Sequence, residues 1–341
     1  MNRWFILEIR RVQVTGGSSY SITLPKEWIK SVHIKKNDSL GIHIQSDGTL
    51  LLTPKITQEQ NQRMKEFDVS RISKPTYLLQ LLIGAYIAGY SSIKISSPSR
   101  MTTAVRNVIR SFTQLAIGPE IIEETETTII LKDLHNITEM PFDRTIKRMH
   151  IVVKGMHEDV MRILKVKDQD LIEDVISRDN DVDRLHWLIA RQYNILLQNP
   201  SLAEKMNITI GIASTYFLIS RIIERIGDHV VRIAQNTQTI IANSLDRKII
   251  EKILTASTLA LDIFNNSVSS FFKKDIKASN ETFESLVKLE KLCEEINTLA
   301  LQQKGIVAIS IGNIIESIRR TGEYAEDISE NVINYLVTED Q

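Results

Sequence analysis

Three kinds of hydrophobic patterning follow one another along the chain. Over the first fifty-odd residues the apolar positions come in short runs, FILEIRRVQV, YSITLP, SLGIHIQ and TLLLTP, broken by TGGSS and SDG. Short apolar runs bounded by Gly, Ser and Asp read as hairpin strands. Between them PKEWIKSV predicts one short helix, with Pro25 suited to its first turn. Residues 56–70, ITQEQNQRMKEFDVS, are polar and weakly periodic, and predict a linker or a solvated helix. An α+β pattern follows over 73–135: a helix at 77–90, a strand SIKIS, a helix TAVRNVIRSF and a strand pair around EIIEETETTIILKDL. Beyond residue 140 apolar residues recur at three- and four-residue steps, predicting helices near 143–165, 168–198, 201–243, 246–275, 277–303 and 306–337. The glycine, the following acid and the closing asparagine of IGDHVVRIAQN (226–236) recur in TGEYAEDISEN (321–331), so the helices form two three-helix repeats, about 143–243 and 246–337. The predicted architecture is multidomain: a small mainly-β domain (1–56), an α+β middle segment (57–139) and an all-α duplicated six-helix bundle (140–341).

Charge changes this picture only locally. The chain has 341 residues with 42 basic and 42 acidic side chains, hence no net charge and no global preference for nucleic acid or membrane. Residues 1–56 nevertheless carry a net charge of about plus four. One cysteine, Cys293, excludes an internal disulfide, a CxxC pair and a cysteine-rich zinc site, and fits a reducing, cytoplasmic compartment. MNRWFILEIRRVQV has too short an apolar run for a secretory signal, and YLLQLLIGAYIAGY falls short of the roughly 20 residues of a membrane span, so a buried helix without membrane insertion is expected. So small a β unit has little core of its own, and a homodimer or higher even oligomer is the expected remedy. Tyr20 and Trp28 are expected in that core.

The most informative stretch is SRIIERIGDHVVRIAQN (220–236). Ile222, Ile223, Ile226, Val230, Ile233 and Ala234 form a core-facing stripe, and Glu224 and Asp228 lie one turn apart beside it. Gly227, between them, costs about 1 kcal/mol relative to alanine in a helix, which implies a close approach to the backbone. The preceding helix holds Asp179 and Asp183 at the same spacing. If the two helices pack antiparallel, four carboxylates converge and require positive charge. A hard cation is one source, with oxygen ligands favouring magnesium, calcium, manganese or ferric iron, and imidazole from His186 or His229 admitting zinc or ferrous iron. Arg178, Arg184, Arg191, Arg221, Arg225 and Arg232 are the other. His186 by itself reads as a packed or hydrogen-bonded histidine.

ERIGDHVVRIAQN together with DNDVDRLHWLIARQYN resembles PhoU, the phosphate-signalling regulators, over about 140–337. The resemblance implies two tandem three-helix units with acid-x-x-x-Asp metal motifs, and carries a metal role onto Asp179, Asp183, Glu224 and Asp228. In the second unit Arg319 stands where Glu224 has its counterpart and Glu323 replaces the aspartate, with EKLCE placing Glu290 and Glu294 at the other pair. A weaker second site of Glu290, Glu294, Glu323 and Asp327 follows. RRVQVTGGSSYSITLPKEWIKSVHIKKNDSLGIHI is similar to the AbrB/SpoVT swapped-hairpin domains. That resemblance implies a dimer binding duplex DNA, for which Arg10, Arg11, Lys26, Lys30, Lys35 and Lys36 are the candidate contacts. The combination resembles archaeal phosphate-uptake regulators and implies a phosphate-responsive transcriptional regulator, not an enzyme. The competing expectation is an adaptor whose β module only dimerises while the bundle docks on a phosphate transporter or sensor kinase. An oxygen-using metalloenzyme is disfavoured by the absence of GxSxG, HExxH and Walker-type motifs.

Overall fold

The computed structural model describes residues 8–44, 48–54, 63–72, 74–243 and 245–339, with only the backbone described at 43, 200, 201 and 339. The chain divides into two compact units, Met1–Asn61 and Gln62–Gln341.

The first unit holds two antiparallel hairpins around a short helix. Strands β1 (Gln13–Thr15) and β2 (Ser19–Ser21) pair with Val14 opposite Tyr20, across a turn in which Gly16 and Gly17 both take positive φ. Helix α1 spans Lys26–Ser31 with Pro25 as its N-cap. Strands β3 (Gly41–Ile44) and β4 (Leu50–Thr53) pair Ile42 with Leu52 and Ile44 with Leu50. The middle of the SDG turn, Ser46 and Asp47, lies outside the described residues. Among the described residues of this unit none is buried. Tyr20, expected in the core, is 78% exposed, because one copy of the unit offers no second apolar layer.

The second unit opens with a four-stranded sheet ordered β5-β6-β8-β7, built from β5 (Met64–Asp68), β6 (Ser92–Ser96), β7 (Pro119–Glu124) and β8 (Thr128–Asp133). Strand β5 corrects the expectation of a linker or solvated helix over 56–70. It lies parallel to β6 and its alternation is only five residues long, so the signal resides in a partner some thirty residues downstream. Residues 55–62 lie outside the described residues. Helices α2 (Pro75–Ile87) and α3 (Thr103–Leu115) contribute Leu78, Leu82, Tyr86, Ile109 and Phe112 to a core shared with Ile93, Ile95, Ile129 and Leu131 of the sheet.

The remainder is a helical bundle: α4 (Phe142–Val166), α5 (Asp170–Gln198), α6 (Pro200–Lys205), α7 (Ile210–Ala242), α8 (Arg247–Lys273), α9 (Ile276–Ala300) and α10 (Ile306–Glu339). The single helix expected over 201–243 is broken into α6 and α7. Asn207 takes a left-handed φ of 50°, and the Thr209 hydroxyl accepts from the Ile212 amide to start α7 afresh. Helices α4, α5 and α7 pack together, as do α8, α9 and α10, and α7 joins α10 between the halves. One apolar cluster runs through both, including Met149, Val153, Ile189, Ile223 and Val230 in the first and Ile253, Phe264, Leu289, Ile315 and Ile328 in the second. Among the described residues no helix is long and apolar enough to cross a membrane.

The sheet domain is fastened to the far end of α5. Arg191 donates from Nε and Nη2 to Asp133 Oδ2 at 2.9 and 2.6 Å and from Nη1 to the Tyr86 carbonyl, its guanidinium lying 4.8 Å from the Tyr86 ring centroid. Gln192 Nε2 donates to the Ile137 and Met140 carbonyls at 3.0 and 2.8 Å. Ile195 fills the space above Gly89, where φ is +84° and a Cβ would stand 2.8 Å from it.

Candidate functional site

The two acid pairs of the first half do come into one electrostatic neighbourhood. Glu224, on α7, is buried, Asp179 and Asp183 on α5 are half-buried, and Asp228 is exposed. Burial, then Asp183 and Asp228, push the Asp179 carboxyl up to about 7. Burial, then Glu224 and Asp228, push Asp183 up to about 6, against a lowering from Arg221. Glu224 is also raised, by burial first and then by Asp228 and Asp179, with Arg221 and Arg225 acting the other way.

Gly227 shows what approaches the α7 backbone. A Cβ there would stand 3.2 Å from Asp179 Oδ1 and 3.6 Å from Val153 and Val182. The glycine thus makes room for the carboxylate of the neighbouring helix. That same Asp179 Oδ1, and Glu224 Oε2, are buried without a hydrogen-bond partner, a costly condition for an acidic oxygen.

The arginines near enough in sequence to neutralise this cluster go largely elsewhere. Arg221 Nη1 reaches Glu224 Oε1 at 2.9 Å. Arg178 pairs with Asp159 and Asp174, Arg184 with Asp181, and Arg191 with Asp133. Arg225 lies over the Tyr324 ring. Among the described residues Asp179, Asp183 and Asp228 have no ion-pair partner. Nor, among them, do three histidine, cysteine, aspartate or glutamate side chains gather closely enough to hold an ion as they stand. The donor set fits a hard cation in chemistry: four carboxylates, two with orphaned oxygens and three held toward the neutral form by their surroundings. Closing on an ion requires these side chains to draw together.

Neither histidine joins the acids. His186 Nδ1 bonds the Ser220 hydroxyl at 2.9 Å with its ring stacked on Phe217, and burial lowers it to about 4. His229 packs on Tyr324 with ring centroids 5.6 Å apart and is likewise lowered to about 4, by burial and then Arg232 and Arg320. His229 and Tyr324 occupy equivalent places in the sequence repeat, so the duplication is visible as two matching residues meeting between the halves.

The second half is built differently. Gly322, equivalent to Gly227, is crowded by Leu286 and Leu289 of α9. Their three-residue spacing matches that of Asp179 and Val182 above Gly227, so Leu286 stands in the place of Asp179 and Glu290 in that of Asp183. This shifts the Glu290/Glu294 pair read from sequence by one turn, and Glu294 is exposed. Glu323 pairs with both Arg319 and Arg320, and both arginines also reach Glu316, at 2.7 and 3.0 Å. Asp327 is exposed and raised, by partial burial first and then Glu330.

A pH prediction follows from the first-half acids. Their folded-state values lie above the ordinary Asp value of 3.8, so as pH rises from about 4 to about 7 the unfolded chain gives up protons that the folded chain keeps. The contribution of these acids to stability falls across that window, against a rise from the buried His157, His186 and His229, each lowered to about 4. In chelator-treated protein the melting temperature of Asp179→Asn is therefore expected to gain on that of the wild type as pH rises from 4 to 7; a melting temperature equally pH-dependent in both proteins would reject the contribution of the cluster.

The six N-terminal cations, Arg10, Arg11, Lys26, Lys30, Lys35 and Lys36, are all exposed. Arg10 is paired with Glu8, and the Lys35 amide donates to Asp38 at 2.7 Å, closing the turn after α1.

Comparison with known proteins agrees with this division. Residues 13–59 match the family model for antidote-toxin recognition MazE, bacterial antitoxin, over the segment that resembles AbrB/SpoVT domains. Among solved structures, PhoU from Pseudomonas aeruginosa is 15% identical with a TM-score of 0.52, covering 58% of this chain and 96% of that one. The phosphate transport system regulatory protein PhoU from Streptococcus pneumoniae is 16% identical with a TM-score of 0.50, covering 60% and 95%. No curated protein gives a significant match. The PhoU domain model matches residues 146–237 and 253–332, about half of the chain and one segment in each half of the bundle, and the chain therefore belongs to the PhoU domain family.

Proposed function

We propose that this chain is a phosphate-responsive transcriptional regulator of phosphate uptake, binding duplex DNA through its N-terminal unit and partner proteins through the PhoU bundle. The observation that carries the reading is the joining of a PhoU-family bundle to a small unit with six exposed cations and an apolar surface left open. The Streptococcus pneumoniae relative is described as a phosphate transport system regulatory protein, and the same process is the one we assign here. The assignment is to binding and regulation, with no catalysis.

Asp179, Asp183, Glu224 and Asp228 would hold a hard cation, with magnesium, manganese or ferric iron as the ions to test and zinc less suited because no imidazole joins the acids, and it would supply the positive charge that three of these acids lack. The chain's own part lies in α5. Asp183 and Arg191 are eight residues apart on that helix, about 12 Å along its axis, so a shift of α5 at the acids is passed to the sheet domain through Arg191, Asp133 and Tyr86.

The test is duplex binding by the full chain. Replacing Arg10, Arg11, Lys26 and Lys30 together by glutamine is expected to weaken affinity and to lower the slope of log K against log salt by about 0.9 for each phosphate that the variant no longer neutralises. Unchanged affinity and slope in a folded variant would pass the function to the adaptor reading, docking on a phosphate transporter or sensor kinase.

A further inference from the structure

The bundle is duplicated, yet its two halves meet the same electrostatic problem with different means. Around Gly227 the space is taken by an unpartnered Asp179 oxygen, and the buried Glu224 keeps one oxygen unpaired. Around Gly322 the same space is taken by Leu286 and Leu289. The acid equivalent to Asp228 is Glu323, held by Arg319 and Arg320, and Arg319 itself occupies the position equivalent to Glu224. Each guanidinium is shared between Glu316 and Glu323. Paired guanidinium–carboxylate forks of this kind occupy the acceptor oxygens that a cation would need. Of the other acids beside this fork, Glu290 is half-buried, Glu294 and Asp327 are exposed, with Arg225 of α7 among the electrostatic neighbours of Asp327, and Glu326 is half-buried and raised, by burial first and then by Glu330, Asp327, Glu290 and Glu323.

We propose that, of the two candidate carboxylate sites, that of the first half holds a cation and that of the second does not, Arg319 and Arg320 serving there as built-in cations for Glu316 and Glu323. The inference rests on the reading of Asp179, Asp183, Glu224 and Asp228 as ion ligands. It implies a bundle in which one half is conditional on an exchangeable ion while the other is fixed by its own sequence.

The test loads the full chain with manganese(II), and in parallel magnesium(II) and iron(III), followed by dialysis and elemental analysis. Three proteins are compared: wild type, Glu224→Gln with Asp228→Asn, and Glu323→Gln with Asp327→Asn. The first pair of substitutions is expected to remove all bound metal and the second none. Asp327→Asn alone, at an exposed position, serves as the second-half variant if the pair impairs folding. Chelator should lower the melting temperature of the wild type and the second-half variants by the same amount, and leave the first-half variant unmoved. Loss of metal on changing Glu323 and Asp327, or metal retained when Glu224 and Asp228 are changed, overturns the division between halves. Absence of all three metals from the wild type overturns the ion-ligand reading itself, and this inference with it.

Discussion

Replacing Arg191 with alanine is expected to cost the larger unit about 3–5 kcal/mol, because it leaves Asp133 charged in a buried setting with no cation. Both partners are enclosed, with side-chain exposures of 6% for Arg191 and 13% for Asp133. The loss includes the hydrogen bond to the Tyr86 carbonyl and the guanidinium packed on the Tyr86 ring. Removing both charges, as Arg191→Met with Asp133→Asn, should restore part of the loss, since no unpaired charge then remains. Urea unfolding of the three variants measures this. Limited proteolysis adds location: cleavage in the Arg191→Ala protein should appear first in the sheet domain, whose hold on α5 includes this side chain beside Gln192 and Ile195. A cost below about 1 kcal/mol would mean that the pair behaves as an exposed one and that α5 does not bind the sheet domain through it.

Arg191 also marks how far a sequence can be read. The six long helices were legible because each repeats its apolar stripe over several turns, and a stripe of that length and period fits little besides a packed helix. The approach of Asp179 to Asp228 was legible only as a condition: a four-residue spacing puts each pair on one side of its own helix, and only antiparallel packing of α5 and α7 could bring the two sides together. Which arginine serves which carboxylate was not. Arg191 lies only eight residues from Asp183 in the chain but reaches Asp133, 58 residues away, and pairing over such distance follows from packing. Its signal was weak but present: a charge inside LIARQYNILL, with Ile189, Ala190 and Leu196 all buried around it. Strand β5 and the break before α7 failed for different reasons. The strand depends on a parallel partner, whereas the break was announced by Asn207 and the capping Thr209, signals outweighed by the apolar run on either side. In the second half, Gly322 aligned α10 with α7, but nothing in the sequence aligned α9 with α5, which is why the Glu290 pair slipped by a turn.

The other large effect concerns the N-terminal unit. Ile42 and Ile44 on β3 are 62% and 73% exposed, as are Val14 and Tyr20 on the first hairpin at 67% and 78%. Alternate residues of a strand share one face, so Ile42 and Ile44 form a continuous apolar strip with their partners Leu52 and Leu50. Burying an isoleucine side chain is worth about 1.5–3 kcal/mol, and a unit with no buried residue among those described has no internal means of gaining it. A second copy would supply the missing layer. If the proposed duplex-binding dimer forms through this strip, Ile42→Asp together with Ile44→Asp is expected to leave the protein monomeric and without duplex binding, because each strip would lose its apolar gain and place two carboxylates against a partner carrying the same change. The PhoU bundle belongs to a separate compact unit, so its melting transition should stay in place. Light scattering, duplex titration and calorimetry on one preparation separate the outcomes. A dimer that survives both aspartates would place the association in the bundle and leave the N-terminal strip to another partner.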